Sequence, residues 1–344
     1  MDTPRIDSKP SARLNTGKVV NLLDHKPIKA KLVDIPVLVA GLAKTGRLPV
    51  TTVIVNYNSG DLLQQSVAAC VDDSQDVVVV DNGSTDCSTD PIKSTYFGKD
   101  YVSVVDNRNN HGFASGCNRG NIEATSPYVL FLNPDCMLAA GSLKKLVDAL
   151  EANPGAAMAG GRLMNPDGTE QAGGRRAIPT PWRSFVRAFG LTRFSKRWPR
   201  LFYDFYLHTQ PLPTHPVEVE AISGAMMLVR KSVLEEIGGW DENYFLHCED
   251  LDICMRLRQK GWKILFVPDA PAKHFQGSCG RSRPLFVEWH KHKGMMRFYR
   301  KFFRHQYPGA FMWLVSCGVW LRFGMVATCQ LARRIRHGGR IGST

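Results

Sequence analysis

Between residues 50 and 153 short apolar runs alternate with helical patterns, and this alternation constrains the fold more than any other feature of the chain. VTTVIVNY (50–57), DVVVVD (76–81), YVSVVD (101–106) and YVLFLN (128–133) are β-branched or aromatic, too short for helices and apolar on both faces. GDLLQQSVAACVDD (60–73) sets Leu62, Leu63, Ser66, Val67, Cys70 and Val71 on one helical stripe. GFASGCNRGNIEAT (112–125) reads as a Gly-rich helix, and SLKKLVDALEAN (142–153) turns Leu143, Leu146, Val147 and Leu150 inward. Strands apolar on both faces are covered on both faces. The pattern therefore predicts an α/β fold, a mostly parallel central sheet between helices. Ligands of such sheets bind beyond the carboxyl ends of the strands, which directs attention to 56–59, 81–86, 107–112 and 133–136.

The second half is less regular. Residues 161–216 read as loop with short helices, VEVEAI (217–222) and AMMLVR (225–230) as strands, EDLDICMRLRQK (249–260) as a helix and WKILFV (262–267) as a strand. The net charge of +13 is unevenly spread. Residues 1–49 hold 9 basic and 4 acidic side chains, 50–280 hold 22 and 26, and 281–344 hold 13 and 1. Nearly all the excess sits in the tail, which suits nucleic acid or an anionic membrane surface. Nine cysteines without a CxxC spacing argue against a disulfide framework or zinc site and for a reducing compartment. The first 18 residues lack the apolar core of a secretory signal.

Asn133-Pro134-Asp135 follows a buried strand directly, where a carboxylate can hold Mg²⁺ or Mn²⁺ and leave coordination positions for a bound diphosphate. Asn165-Pro166-Asp167 repeats the tripeptide before Gly168 without a preceding apolar run, so it reads as a plain turn. Asp81, opening DNGSTD, could accept hydrogen bonds from a nucleoside. Gly112, Gly116 and Gly120 at spacing four serve either phosphate approach or tight helix packing. Glu249, Asp250 and Asp252 open a helix. Glu249 and Asp252 share a face and Asp252 can pair with Arg256, which leaves Asp250 freest to act as a base. His274 follows the strand WKILFV and a turn.

VIVNYNSGD, VVDNGSTD, NNHGFASGCNRG, YVLFLNPD, SGAMMLVR, GGWDENYFLHCEDLDICMR and HFQGS, in this order over about residues 50 to 305, resemble glycosyltransferase family 2. More narrowly they are similar to bacterial rhamnosyltransferases of cell-envelope polysaccharide assembly. The resemblance implies a GT-A fold and a nucleotide diphosphate-sugar donor, dTDP-rhamnose first and a UDP-linked hexose or furanose second. It implies that Tyr57, Asn58 and Asp81 contact the nucleoside, and that Asn110, Gly112 and Asn133 belong to the nucleotide-sugar site. Asp135 and His274 would serve the metal, Asp250 would be the base with Glu249 next, and Gly224, Trp240, Arg281 and Arg283 would meet acceptor or diphosphate. Asn133 stands where some relatives carry Asp, which puts the metal's weight on Asp135. The implied reaction is a single inverting displacement onto a saccharide acceptor, expected on a polyprenyl diphosphate.

The domain reading is a basic extension (1–48), a catalytic unit (49–280, with a nucleotide-sugar half to 160 and an acceptor half after it) and a tail (281–344). AFMWLVSCGVWLRFGMVATCQLA (310–332) is long enough to span a bilayer, but Arg322 near its middle and basic flanks favour a helix lying on the inner face of the cell membrane, dipping Trp313, Leu314, Trp320 and Phe323. That places the protein in the cytoplasm as a peripheral membrane protein. A non-enzymatic nucleic-acid-binding protein would explain the tail but not four Asp-, Asn- and Gly-rich strand ends. A dehydrogenase would need GxGxxG where NYNSGD stands, and a nucleotidyltransferase an early Gly- and Lys-rich loop.

Overall fold

A computed structural model describes residues 46–277 and 283–338, with 333–338 as backbone only. The expected extension, up to residue 45, lies outside the described residues, as does Arg281. The first half follows its hydrophobic pattern: β1 (Leu48–Asn56), α1 (Asp61–Ala68), β2 (Ser74–Asp81), α2 (Asp90–Thr95), β3 (Val102–Asp106), α3 (Phe113–Glu123), β4 (Tyr128–Leu132), β5 (Cys136–Leu138) and α4 (Ser142–Glu151). Then come β6 (Ala156–Met164), β7 (Arg175–Arg176), α5 (Pro181–Ala188), β8 (Val217–Glu218), β9 (Ala221–Ile222), β10 (Met226–Arg230), α6 (Lys231–Glu236), α7 (Glu249–Gln259), β11 (Lys263–His274), α8 (Pro284–Phe303) and α9 (Gly309–Gly338).

The main sheet runs β3-β2-β1-β4-β10-β6-β11-β5, with β8 beside β11. β3, β2, β1 and β4 are parallel. β10 is antiparallel to both β4 and β6, and β6 is parallel to β11. Alternate residues of β1 enter opposite cores. Val53 and Val55 join the cluster under α3 and α7, and Val50 and Ile54 the cluster under α1 and α4. This is the doubly covered sheet that unbroken apolar strands require.

Four local expectations differ. α1 stops at Ala68, five residues short of its pattern, and 69–73 form turns. β6, AAMAGGRLM, has no β-branched signal. Its glycines are needed because a Cβ on Gly161 would lie 2.0 Å from Ala270 O, and one on Gly160 2.5 Å from Ile222 Cδ1. VEVEAI splits between two sheets, β8 on β11 and β9 on β7. β11 does not end at Val267. It shifts register between Val267 and Pro271 and runs on to His274, so the expected turn before that histidine is an irregularity inside one strand.

Candidate active site

The parallel registers align the strand ends. Asn56 stands opposite Asp81, and Asp81 opposite Asp106. Asn56, fully buried, is the hub of this edge. Its Nδ2 donates to Asp81 Oδ1 (3.0 Å), Ser84 Oγ (3.0 Å) and Ser88 Oγ (2.9 Å), and its Oδ1 accepts from Ser59 Oγ (2.6 Å). Ser84 also donates to Asp81 Oδ1, so these partners of Asp81 converge on one oxygen and leave Oδ2 outside the network. Asn58, at φ 51°, accepts from Thr85 N (2.7 Å) and locks the two loops together, with Tyr57 half-buried beside it.

Gly112 sits at φ 90°, and a Cβ there would lie 2.5 Å from Phe245 O. Asn110 Oδ1 accepts its N–H (2.9 Å), and its carbonyl accepts from Asn82 Nδ2 (3.0 Å). The α3 entrance is thus clamped between β2 and the 240–247 loop, where Phe113 N donates to Phe245 O (2.9 Å). Gly116 and Gly120 resolve to tight packing: added Cβ atoms would strike Val55 at 2.5 Å and Val53 at 2.3 Å.

Asp135 and His274 meet because β5 pairs with β11 in the register Cys136 to His274, and Phe275 N donates to Asp135 O (2.9 Å). Both side chains are buried, with His274 Nε2 3.1 Å from Asp135 Oδ1. Asn133 Nδ2 lies 3.4 Å from the same nitrogen. Gln171 determines the ring's tautomer. Its amide nitrogen donates to Asn165 Oδ1 (3.1 Å) and His274 O (3.4 Å), so its Oε1 must accept from His274 Nδ1 (2.6 Å). That turns Nε2 toward Asn133 Nδ2 and the Asp135 carboxylate, where a second ring proton or a cation would join the nitrogen to Oδ1. A histidine oriented by an amide oxygen and aimed at a carboxylate is a fitting pair of metal ligands. Among the described residues no group of three or more His, Cys, Asp or Glu is gathered, so waters and phosphate oxygens would complete a shell here. The repeated tripeptide is a turn, closed by Gly168 N on Asn165 O (2.9 Å). Asp167 is spent on Thr169, whose hydroxyl and N–H hold its carboxyl below the ordinary range. Yet Asn165 reaches the site through Gln171.

At the other end, Asp250 follows the first residue of α7. Its Oδ2 accepts from the Arg176 guanidinium and from Gly224 N (3.3 Å), and its Oδ1 from Leu251 N (2.8 Å). It is therefore ion-paired rather than free, held by an arginine that β7 delivers through its pairing with β9. Glu249 is buried, and its Oε2 has no hydrogen-bond partner. Burial first, then the Asp250 carboxylate, pushes it up to about 8, so near neutrality it carries a proton. Asp252 binds Arg256 Nε (2.6 Å), as its spacing predicts, and also Lys301 (2.6 Å). The α7 start is reached through two residues at positive φ, His247 (67°) and Cys248 (70°).

Trp240 requires a correction. It is 2% exposed and packs edge-on against Phe113 and Phe131, so its ring supports the site from behind and cannot touch an acceptor. Arg283 is exposed at the start of α8. The sequence reading missed Arg176 and Gln171, and included Asn56 only as part of the strand end 56–59. Arg175 and Arg176 are adjacent and identical, yet Arg175 binds Glu170 (2.7 Å) and only its neighbour reaches Asp250. No pattern in one sequence separates them.

An α/β sheet with polar strand ends on one side and a carboxylate-led helix on the other has the layout expected of a GT-A fold. Residues 51–238, more than half the chain, match the model of glycosyl transferase family 2, and the chain belongs to that family. It is 28% identical over 308 residues to an N-acetylglucosaminyl-diphospho-decaprenol L-rhamnosyltransferase of Mycobacterium tuberculosis, covering 85% of this chain and 97% of that one. It is 24% identical over 244 residues to the rhamnosyltransferase WbbL of Escherichia coli K12, covering 67% and 84%. In fold it is similar to GalNAc-T7, crystallised with UDP, GalNAc and Mn²⁺, at TM-score 0.50 and 17% identity over 65% of this chain and 43% of that one. Family membership decides for the transferase over the nucleic-acid-binding reading.

Proposed function

We propose that the protein transfers rhamnose from dTDP-rhamnose, with inversion, to a saccharide carried on a polyprenyl diphosphate, at the cytoplasmic face of the membrane. Two curated rhamnosyltransferases aligned over most of their length support the donor and acceptor class. The observation that carries the chemistry is the buried pair His274 Nε2 and Asp135 Oδ1, 3.1 Å apart, with the ring held from its other side by Gln171. Asp135 and His274 would hold Mg²⁺ or Mn²⁺, with Asn133 beside them, and the charge so supplied would offset that developing on the departing diphosphate. Asp81 accepts from the nucleoside through Oδ2, with Tyr57 and Asn58 framing the base, and Asn110 and Gly112 border the sugar.

Asp250 takes the proton of the acceptor hydroxyl. Arg176 and Gly224 N–H fix its Oδ2, and Oδ1 keeps a lone pair beyond the Leu251 bond. Glu249, whose burial favours the protonated form, stands second to Asp250 as the base. The acceptor's diphosphate suits α8, where Lys293, Arg297, Arg300 and Arg304 recur at spacings of four, three and four and so form one stripe. Three of them line a cavity of about 760 Å³ with Tyr244, Phe245 and Trp320. α9 lies on the bilayer. Its window Gly309–Ala332 has mean hydropathy 1.5 and none of it is buried, with Trp313 66% and Leu321 70% exposed. Trp320 and Phe323 instead pack on Trp289, so the apolar face differs in part from that expected.

A panel of nucleotide-sugars, scored for hydrolysis and for transfer to a polyprenyl-diphosphate saccharide with Mg²⁺, Mn²⁺ or chelator, tests this. Turnover of dTDP-rhamnose that vanishes with chelator is expected. Turnover of a UDP-sugar alone would replace the donor, and indifference to chelator would remove the cation.

A further inference from the structure

We propose that residues 181–203 are a second membrane-contacting element, forming with α9 one composite face for an anionic phospholipid bilayer. This extends the membrane part of the reading above. PWRSFVRAFGLTRFSKRWPRLFY holds six cations and no acid, in a chain with 44 basic and 31 acidic residues. Arg183 is used by Glu220 and Arg187 by Asp204. Arg193, Lys196, Arg197 and Arg200 are exposed and form no ion pair among the described residues.

Interleaved with them, Phe185, Phe189, Phe194, Trp198 and Leu201 are exposed, Phe189 by 65% and Trp198 by 50%. Single exposed apolar side chains are ordinary on soluble proteins. Five within 17 residues, four of them aromatic, amount to a patch. The guanidiniums lie at the level of the rings, Arg193 4.8 Å from the Phe194 centroid and Arg197 6.0 Å from that of Trp198. Rings that dip to the acyl boundary beside cations that stay at the phosphates are the composition of an interfacial segment. Charge complementarity therefore selects the occupant, a surface of anionic headgroups.

Placement supports the pairing with α9. α5 packs against α9, and Tyr299 Oη on α8 bonds Ser184 Oγ (2.7 Å), so the two exposed apolar faces belong to one block. The segment starts five residues after Arg176, the partner of Asp250.

The test uses full-length protein and vesicles of phosphatidylcholine with or without phosphatidylglycerol. Three variants are compared by sedimentation: F189S/W198S/L201S, R193E/K196E/R197E/R200E, and, in α9, W313S/L314S/L321S. Each of the first two should weaken partitioning to anionic vesicles about tenfold or more, leaving hydrolysis of soluble donor unchanged. Brominated lipid should quench a fluorescence component that Trp198→Phe removes, a change too mild to unfold the segment. Full binding by both 181–203 variants, with loss only in the α9 variant, would overturn this inference and leave α9 as the anchor. Loss in the 181–203 variants but not in the α9 variant would retain the segment and discard α9. Absence of the Trp198 quenching component, or binding of single-stranded RNA that the charge-reversed variant loses while vesicle binding persists, would also overturn it.

Discussion

Asp250 is the proposed base, so turnover should depend on it. Asp250→Asn keeps the size and the Gly224 contact but removes the base, so transfer should fall by roughly two to four orders of magnitude while donor binding persists. Near-normal transfer would end the assignment. The two Asn-Pro-Asp turns give a paired test by calorimetry with dTDP and Mn²⁺. Asp135→Ala should abolish cation-dependent binding, and Asp167→Ala, fully exposed and bonded only to Thr169, should do almost nothing. Gln171→Leu should weaken binding by roughly ten- to a hundredfold, because the ring loses the acceptor that fixes its tautomer. Glu249 yields a pH prediction. Its folded pKa, about 8, lies above the ordinary 4.5, so between those values the native state binds more protons than the unfolded one. Stability should therefore fall as pH rises from about 4.5 to 8. Glu249→Gln should flatten that decline in the melting temperature, and an unchanged slope would place the ionisation elsewhere.

Among the elements, α8 shows a local preference overruled by packing. An alanine in place of a helical glycine usually stabilises by about 1 kcal/mol. At Gly294 the new Cβ would lie 2.6 Å from His247 O, in the turn of two positive-φ residues that launches α7. Gly294→Ala should therefore destabilise, and should lower transfer more than donor hydrolysis, since Asp250 sits three residues beyond His247. A raised melting temperature with normal transfer would refute this. The same contest explains which elements were legible. β1, β2 and β4 carry β-branched runs whose signal needs no partner. β6 was missed because its Ala and Gly side chains answer to Ala270 and Ile222, residues far along the chain. β11 was cut short because Pro268 and Pro271 look like a stop, whereas the irregularity in its pairing accommodates them.

At the scale of the molecule, the acidic sheet unit and the basic tail are joined through packing as well as by chain. Lys301 of α8 reaches both Asp241 and Asp252. Burial alone would raise Asp241, but Lys301 and Arg297 outweigh it and hold its carboxyl far below the usual range. Met312, Val315 and Val319 of α9 rest on the core while the opposite face stays bare. A chain truncated at Tyr307 should therefore lose vesicle binding and lipid-acceptor transfer together and keep donor hydrolysis. Vesicle binding at the full-length level would show that α9 is not needed for it.

The sequence by itself determined the doubly covered sheet, its four polar strand ends, the turn character of the second Asn-Pro-Asp and the division of charge. Those properties follow from the spacing of apolar and charged residues along the chain, which needs no knowledge of distant partners. Only the tertiary structure decided that Arg176 and not Arg175 holds Asp250, that Gln171 and Asn165 set the His274 ring, and that Trp240 is core. The first two depend on the registers of β7 with β9 and of β5 with β11, and the third on the packing of Trp240 against Phe113 of α3 and Phe131 of β4. Pairings across 74 to 139 residues leave no periodicity behind, because their geometry exists only once both strands are in the sheet.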